Sequence, residues 1–394
     1  MKKNSSKLGI LAAGLLLALG LSDAAHSADR MKFGFLATLS GPNAVLGTHL
    51  RDGFSLALDH AGGKLGGLPT EVIYEDDQQK PDVARQIVDK FLELNKVDIV
   101  AGAPFSSVLN AVYGPLTNAK VPFIGLSGAP SSVAGERCSE FFFSTSWQGD
   151  NLAEAIGLAL QKQGVQNVYL MAPNFPGGKE VVAGIKRYYK GTIAGEVFTP
   201  LNQLDFAAEL AQLRAAKPGA VFAFYPAGLG IQFVQQYAQA GLKEQFPLYT
   251  SYTIDATTLP ALGNAALGIT TSEFWHPDMD NEANKRFVSD FVKKYHYAPS
   301  AYAAQGYDAG RLVDGAVRKI KGKIEDRAAF AEALKAADFK SVRGDFKFNT
   351  NHFPIQNFYL GKVVKGNDGK PAIQLGEVIL RNHHDAYAAK CSLK

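Results

Sequence analysis

The chain has 394 residues, 46% of them hydrophobic and 20% charged, with 41 Lys and Arg against 37 Asp and Glu for a formal net charge of +4. A balance this even excludes a nucleic-acid surface and a strongly electrostatic membrane partner, and it suits neutral partners or small ligands. Only two cysteines occur, Cys138 and Cys391; in an oxidising compartment such a pair reads as a disulfide rather than a metal site or a nucleophile, the alternative being two separate buried thiols.

The N-terminus supplies that compartment. Lys2, Lys3 and Lys7 precede an uncharged run from Leu8 to Leu21, and the small residues Ala24, Ala25, Ser27 and Ala28 follow. This is the three-part layout of a secretory signal, so residues 1–28 are expected to be cleaved off near Ala28. The remaining chain should be soluble and carry a formal charge of about +2. The apolar run is too short to cross a bilayer comfortably, and nothing later in the chain resembles a spanning helix. The leader has no cysteine to take a lipid.

Behind the leader, apolar β-branched and aromatic runs alternate with stretches of helical period. A strand is predicted over 32–37, a helix over 43–60, a strand over 71–75 and a helix over 81–94. A strand over 98–102, a helix over 106–118 and a strand over 122–126 continue the series. Uninterrupted apolar strands of this kind imply a parallel sheet covered on both faces. A second alternating series begins after Phe141-Phe142-Phe143, with helices over 149–163, 178–189, 205–216 and 227–240 between strands over 167–172, 192–198 and 220–225. Strands near Leu248 and Ile269 complete a second sheet. Helices over 282–295, 301–321 and 326–336 follow, and the chain ends in β-rich sequence over 346–348, 357–364 and 373–380. So long a mature chain exceeds one core, and two α/β domains are expected. Gly62-Gly63 and Gly66-Gly67 stand where a helix hands over to a strand and read as cap and turn glycines, without dinucleotide-fingerprint spacing.

Motifs for catalysis are absent. There is no Gly-x-Ser-x-Gly elbow, and Ser127 is followed by Gly128-Ala129-Pro130 instead. His-Glu-x-x-His, a Walker lysine and a Rossmann glycine triplet are also missing, and His383-His384-Asp385 reads as a solvated polar patch. What stands out is the chemistry of loops after the carboxyl ends of strands, where open α/β sheets bind ligands. Three such loops are Ser40-Gly41-Pro42, Phe105-Ser106-Ser107 and Ser127-Gly128-Ala129-Pro130-Ser131. Hydroxyls and free N–H groups at helix N-termini hold a carboxylate without any lysine or arginine, although for Ser106 and Ser131 singly ordinary N-capping explains as much. The second domain offers Asn174-Phe175 and Tyr225 after two strands and Tyr252 after a third, with Trp147 beside the first expected crossing between domains. Each aromatic alone is a packing residue; their recurrence at strand ends is what points to a binding surface.

The order Ala37-Thr38-Leu39-Ser40-Gly41-Pro42, Tyr74-Glu75-Asp76-Asp77, Ile124-Gly125-Leu126-Ser127-Gly128-Ala129 and Gly306-Tyr307-Asp308-Ala309 resembles the type I periplasmic solute-binding proteins of the branched-chain amino-acid transporter family, over essentially the whole mature chain. The resemblance implies two Rossmann-like domains joined by a three-segment hinge, with crossings near Trp147, Trp275 and Thr350. Residues 29–146 and 277–350 would form the N-terminal lobe, residues 147–276 and 351–394 the C-terminal lobe. It also implies a periplasmic, cofactor-free, non-enzymatic monomer that closes on a small molecule and delivers it to an ABC permease.

In the family's amino-acid binders, loops matching Ser106-Ser107 and Gly128-Ala129 hold the α-carboxylate, and an acidic residue of the second domain holds the ammonium. That acidic position falls near Ser251-Tyr252, where this chain has no carboxylate, and Ala129 is followed by Pro130 where a hydroxyl residue is usual. A buried ammonium without a counter-charge would cost several kcal/mol. Ser146-Trp147-Gln148, Ala172-Pro173-Asn174-Phe175 and the two cysteines are more similar to the branch that binds aromatic carboxylates of benzoate or hydroxycinnamate type. The carboxylate would then face the first-domain loops, and the ring would lie among Trp147, Phe175, Tyr225 and Tyr252, with Asn174 or a tyrosine meeting a ring hydroxyl. The rival readings are a binder of branched-chain amino acids, amides or urea, and a periplasmic hydrolase with an unconventional nucleophile.

Overall fold

A computed structural model describes residues 29–393, so the expected leader lies outside the described residues. The chain enters on β1 (Met31–Ala37), buried over nearly its whole length, and runs through α1 (Ala44–His60), the short β2 (Lys64–Leu65) and β3 (Leu68–Asp76). Then come α2 (Pro81–Lys90), β4 (Ile99–Gly102), α3 (Ser106–Asn118), β5 (Phe123–Gly125), the single turn α4 (Ser131–Ala134) and β6 (Phe142–Ser144). These strands form one sheet in the order β2-β3-β1-β4-β5-β6, parallel throughout except for the β2–β3 hairpin. The helix expected over 81–94 departs from α-geometry in its last turn. Phe91–Asn95 is a π-helical turn, stopped by Lys96 at φ 54°.

The second series is α5 (Asn151–Lys162), β7 (Asn167–Pro173), α6 (Pro176–Tyr188), β8 (Thr192–Thr199), α7 (Ala207–Ala216), β9 (Ala220–Ala223) and α8 (Ala227–Gln239). It continues through β10 (Leu248–Thr250), α9 (Leu259–Leu262) and β11 (Thr270–Glu273). Three helices follow: α10 (Glu282–Tyr295), α11 (Ala301–Lys319) and α12 (Arg327–Lys335). The last strands are β12 (Lys347–Phe348), β13 (Pro354–Lys365) and β14 (Pro371–His383). The second sheet runs β12-β13-β11-β10-β9-β7-β8, with β14 on β13. Its β11-to-β8 core is parallel, and the β13–β14 hairpin closes one edge antiparallel.

After β11 the chain returns to the first sheet, where Phe287, Phe291 and Tyr307 of α10 and α11 join the core built on Phe33, Phe35 and Phe54. The return is held by close helix packing. A Cβ on Gly306 would stand 2.1 Å from the Leu50 carbonyl oxygen of α1, and one on Gly53 would stand 1.9 Å from that of Ala303. Two residues on from Gly306, the buried Asp308 accepts from Ser341 Oγ at 2.6 Å, from Val342 N at 3.0 Å and from Arg343 Nε at 3.1 Å. The same guanidinium donates to the Thr145 carbonyl at 2.9 Å and to Gln356 Oε1 at 2.8 Å. Arg343 thus fastens the segment leaving the first sheet to β13, where the chain passes between sheets for the last time. Cys138 and Cys391 are joined, with Cα atoms 5.6 Å apart and a sequence separation of 253. By the chain-entropy model a loop that long contributes roughly 5 kcal/mol.

Candidate functional site

The carboxyl ends of both sheets face each other across a cavity of about 50 Å³ available to the centre of a water molecule. The first lobe contributes Phe105 and Ser106 at the start of α3, and Ser127 and Gly128 after β5. α3 has no side-chain cap, since Phe105 occupies the N-cap position, and the buried Ser106 Oγ has no hydrogen-bond partner. An orphan hydroxyl beside unsatisfied helix N–H groups is a donor set waiting for an anion.

The rest of the wall is aromatic. Trp147 stacks on Tyr252 with ring centroids 4.8 Å apart and 25° between planes, and lies 6.3 Å from Tyr302 edge-on. Phe224 meets Tyr252 at 5.5 Å and Phe175 at 6.1 Å. A Cβ on Gly128 would meet Trp147 Nε1 at 2.6 Å, so glycine is what lets the indole lie over this loop. That Nε1–H has no acceptor among the described residues. Tyr252 has φ +59°, a left-handed conformation that is a genuine outlier for a bulky residue. Its buried hydroxyl lies near the N-terminus of α5 without a hydrogen bond of ordinary geometry. Burial, followed by the neighbouring Tyr302, pushes the Tyr252 phenol far up, so it stays neutral. Among the described residues, no Asp, Glu, Lys, Arg or His lines the cavity.

Of the residues expected at the site from sequence, Phe105, Ser106, Gly128, Trp147, Phe175 and Tyr252 line this cavity. The other six do not. Ser40 is exposed and bonds to Asp76, which also accepts from Leu39 N at 2.8 Å and Gln78 N at 2.9 Å. Burial works against the Asp76 charge, but these bonds outweigh it and hold the carboxyl below its usual range. Ser107 lies on α3 behind Ser106, outside the lining. The Ala129 N–H is spent on the Trp147 carbonyl at 3.2 Å, and its own carbonyl accepts from Gly149 N at 2.9 Å. Ser131 holds Glu180 of α6, donating from N at 3.0 Å and from Oγ at 2.6 Å. Asn174 is exposed.

Tyr225 is fully buried in the second-lobe core, packed on Phe206 and Phe233 at 4.9 Å each. Its hydroxyl pairs with Thr199 Oγ1 at 3.3 Å. The cavity ring at this strand end is the preceding residue, Phe224. Successive side chains of a strand point to opposite faces, and the two cores divide accordingly, with Val221, Ala223 and Tyr225 in one and Ala220, Phe222 and Phe224 in the other. Tyr302, Leu46 and Val181 also line the cavity without having been singled out. Tyr302 follows Ala301 at the start of α11, far in sequence from any strand end, and no local pattern marks it.

A family model described as periplasmic binding protein matches residues 30–370. A curated relative from Brucella melitensis, Leu/Ile/Val-binding protein homolog 6, is 27% identical over 369 residues, covering 91% of this chain and 94% of its own. Among solved structures, an ABC-transporter solute-binding protein from R. palustris in complex with benzoate is similar at a TM-score of 0.87 and 30% identity, over 92% of this chain and 100% of that one. Another from Rhodopseudomonas palustris BisB5, in complex with 3,4-dihydroxy benzoic acid, matches with a TM-score of 0.82 and 28% identity, over 90% and 99% of the two chains. A leucine-binding protein from Thermotoga maritima shares the fold, with a TM-score of 0.78 at 19% identity over 88% and 98% of the two chains. The chain belongs to the periplasmic binding protein family, with the type I fold, as a solute-binding protein of ABC transport.

Proposed function

We propose that this protein binds a small aromatic carboxylate of benzoate or hydroxycinnamate type between its lobes and presents it to an ABC permease. The observation that carries the reading is the wall itself: rings and glycines with no charged side chain, and at one end the unpartnered Ser106 Oγ on the uncapped N-terminus of α3. A carboxylate there is held by backbone dipoles and hydroxyls. An ammonium would find no counter-charge among the lining residues, which disfavours an α-amino acid. The flat remainder of the ligand lies along Phe175, Phe224 and the Trp147–Tyr252 pair, and the small volume favours a single ring with a short substituent. The neighbours that bind benzoate and a dihydroxybenzoate support the same class.

The lobes we assign are residues 29–146 with 277–350, and 147–276 with 351–394. Residues 1–28 act in this reading as a removable export signal, and the mature monomer works in the periplasm, where the Cys138–Cys391 bond would persist. Closure follows from a ligand that touches both lobes only when they are shut. Titration calorimetry with benzoate, 4-hydroxybenzoate and 4-hydroxycinnamate, against leucine, acetamide and urea, tests the assignment. Saturable binding of at least one aromatic acid and none of the others is expected; binding of leucine with no aromatic acid would overturn it.

A further inference from the structure

A second and larger cavity, of about 610 Å³, lies between α9, the end of β11, the start of α11 and the start of β14. It shares no lining residue with the first. Its walls mix apolar side chains, among them Leu259, Pro277 and Ile373, with two carboxylates, Asp255 and Glu273. Asp255 spends one oxygen on the Thr257 N–H and hydroxyl, at 2.7 and 2.6 Å. Glu273 is 91% buried, with 9% of its surface exposed, and has no ion-pair partner among the described residues. At the foot of α11, Ser300 is 1% exposed, lines the same cavity, and has a hydroxyl with no hydrogen-bond partner.

The other titratable groups do not balance this charge. His276 is occupied by the Ile373 carbonyl at 3.0 Å and the Asp278 N–H at 3.2 Å, and burial keeps its imidazole below the usual range. Asp278 adds a third carboxylate at the rim, and Lys370 is exposed there without pairing to Asp255 or Glu273. Burial, then the Asp255 charge, pushes Glu273 well up. In the empty cavity a proton on Glu273 relieves this cost, and a cation seated between the two carboxyls would take that proton's place.

We propose that this second cavity binds a small organic cation, a primary ammonium or guanidinium, with its charge between Asp255 and Glu273 and its apolar body against Leu259, Pro277 and Ile373. A bare metal ion fits worse, since no group of three or more ligating side chains occurs among the described residues and the volume far exceeds one ion.

Titration calorimetry of the full mature chain at constant ionic strength, using n-butylammonium and ethylguanidinium chlorides with calcium chloride as comparator, tests this. The expected result is saturable binding of at least one organic cation, weakened at least about tenfold by Glu273→Gln. Glu273→Gln should fold, because it keeps the shape of a carboxyl that burial holds neutral, and a cooperative melt checks that it does. Asp255→Asn repeats the test at the neighbouring carboxyl. No saturable heat for either organic cation up to about 10 mM overturns the site. So does wild-type affinity in both variants, or saturation by calcium alone.

Discussion

Tyr252 is the residue on which the site turns. Its left-handed backbone costs of order 1–3 kcal/mol, and what it secures is the ring stacked flat on Trp147 and edge-on to Phe224. Truncating either ring of the stack removes contact area that nothing nearby can refill. Trp147→Ala and Tyr252→Ala are each expected to weaken benzoate binding by roughly 2 kcal/mol, about thirtyfold, while the variants still unfold cooperatively. Calorimetry on the folded variants decides, and unchanged affinity in both would mean the ligand lies elsewhere. Ser106→Ala should cost about 1.5–3 kcal/mol if its hydroxyl meets the carboxylate, because bonds to charged groups are the stronger kind. At this scale sequence reading found the loops and missed individual side chains. Strand-end aromatics are visible in Phe224-Tyr225, but which of two adjacent rings enters the cavity depends on strand register, and a slip of one residue chose the core tyrosine.

Among the elements, α6 carries a contact that no short-range pattern announces. Glu180 reaches from α6 to the N-terminus of α4, where Ser131 donates both its N–H and its hydroxyl, and Gln148 Nε2 donates to the other carboxylate oxygen at 3.2 Å. The Ser131 loop therefore does what its chemistry implied, holding a carboxylate, but the carboxylate is the protein's own. Glu180 is no lining residue, and its bonds tie α6 to the α4 loop, so we expect it to act on closure rather than on ligand contact. Glu180→Ala is expected to lower the closed population and raise the apparent Kd of an aromatic acid several-fold, in proportion to the fraction of competent molecules lost. Small-angle scattering of the ligand-free variant should give a larger radius of gyration than wild type. Equal radii with equal affinities would show that Glu180 only decorates the closed form. The Arg343 clasp belongs to the same scale and was equally hidden. Gly306-Tyr307-Asp308 could be seen as a motif, yet its reason, a close approach to α1 followed by a carboxylate aimed at Arg343, exists only once α11 has been brought back to the first sheet.

The alternating strands and helices, the two sheets and a β-rich C-terminal end were legible, because buried parallel strands leave continuous apolar runs and helices leave period, whereas the antiparallel pairing of β13 with β14 was not marked. Long-range polar placement was not, and it governs how the whole molecule responds to acid. His49 on α1 is buried beside Tyr297 at 4.7 Å, with Nδ1 unpartnered. His352, between β12 and β13, stacks on Phe143 at 4.5 Å, with Nδ1 3.0 Å from the Phe142 carbonyl oxygen. Burial lowers both imidazoles from 6.5 to about 4, against the opposing pull of Asp52 on the first and of the Phe142 carbonyl on the second. The charges near His352, Lys335 and Glu332, act in opposite directions. Between those two pH values the unfolded chain binds the proton and the folded chain does not. The stability held by the neutral rings is therefore complete above 6.5 and is lost as pH falls toward 4, by roughly 3 kcal/mol for each histidine. Buried carboxyls such as Asp77 and Asp308, which burial pushes up, gain protons in the folded state first and offset part of that loss. The clean measurement is thus a difference between variants. His352→Asn keeps a donor for the Phe142 carbonyl and tolerates the φ of +60° at this position. Denaturant unfolding of wild type, His352→Asn and His49→Gln at about pH 7 and about pH 4.5 should show each variant losing 2–3 kcal/mol less than wild type over the interval, to order of magnitude. Equal losses in all three would mean that the carboxyls, and not these two rings, set the acid limit of the fold.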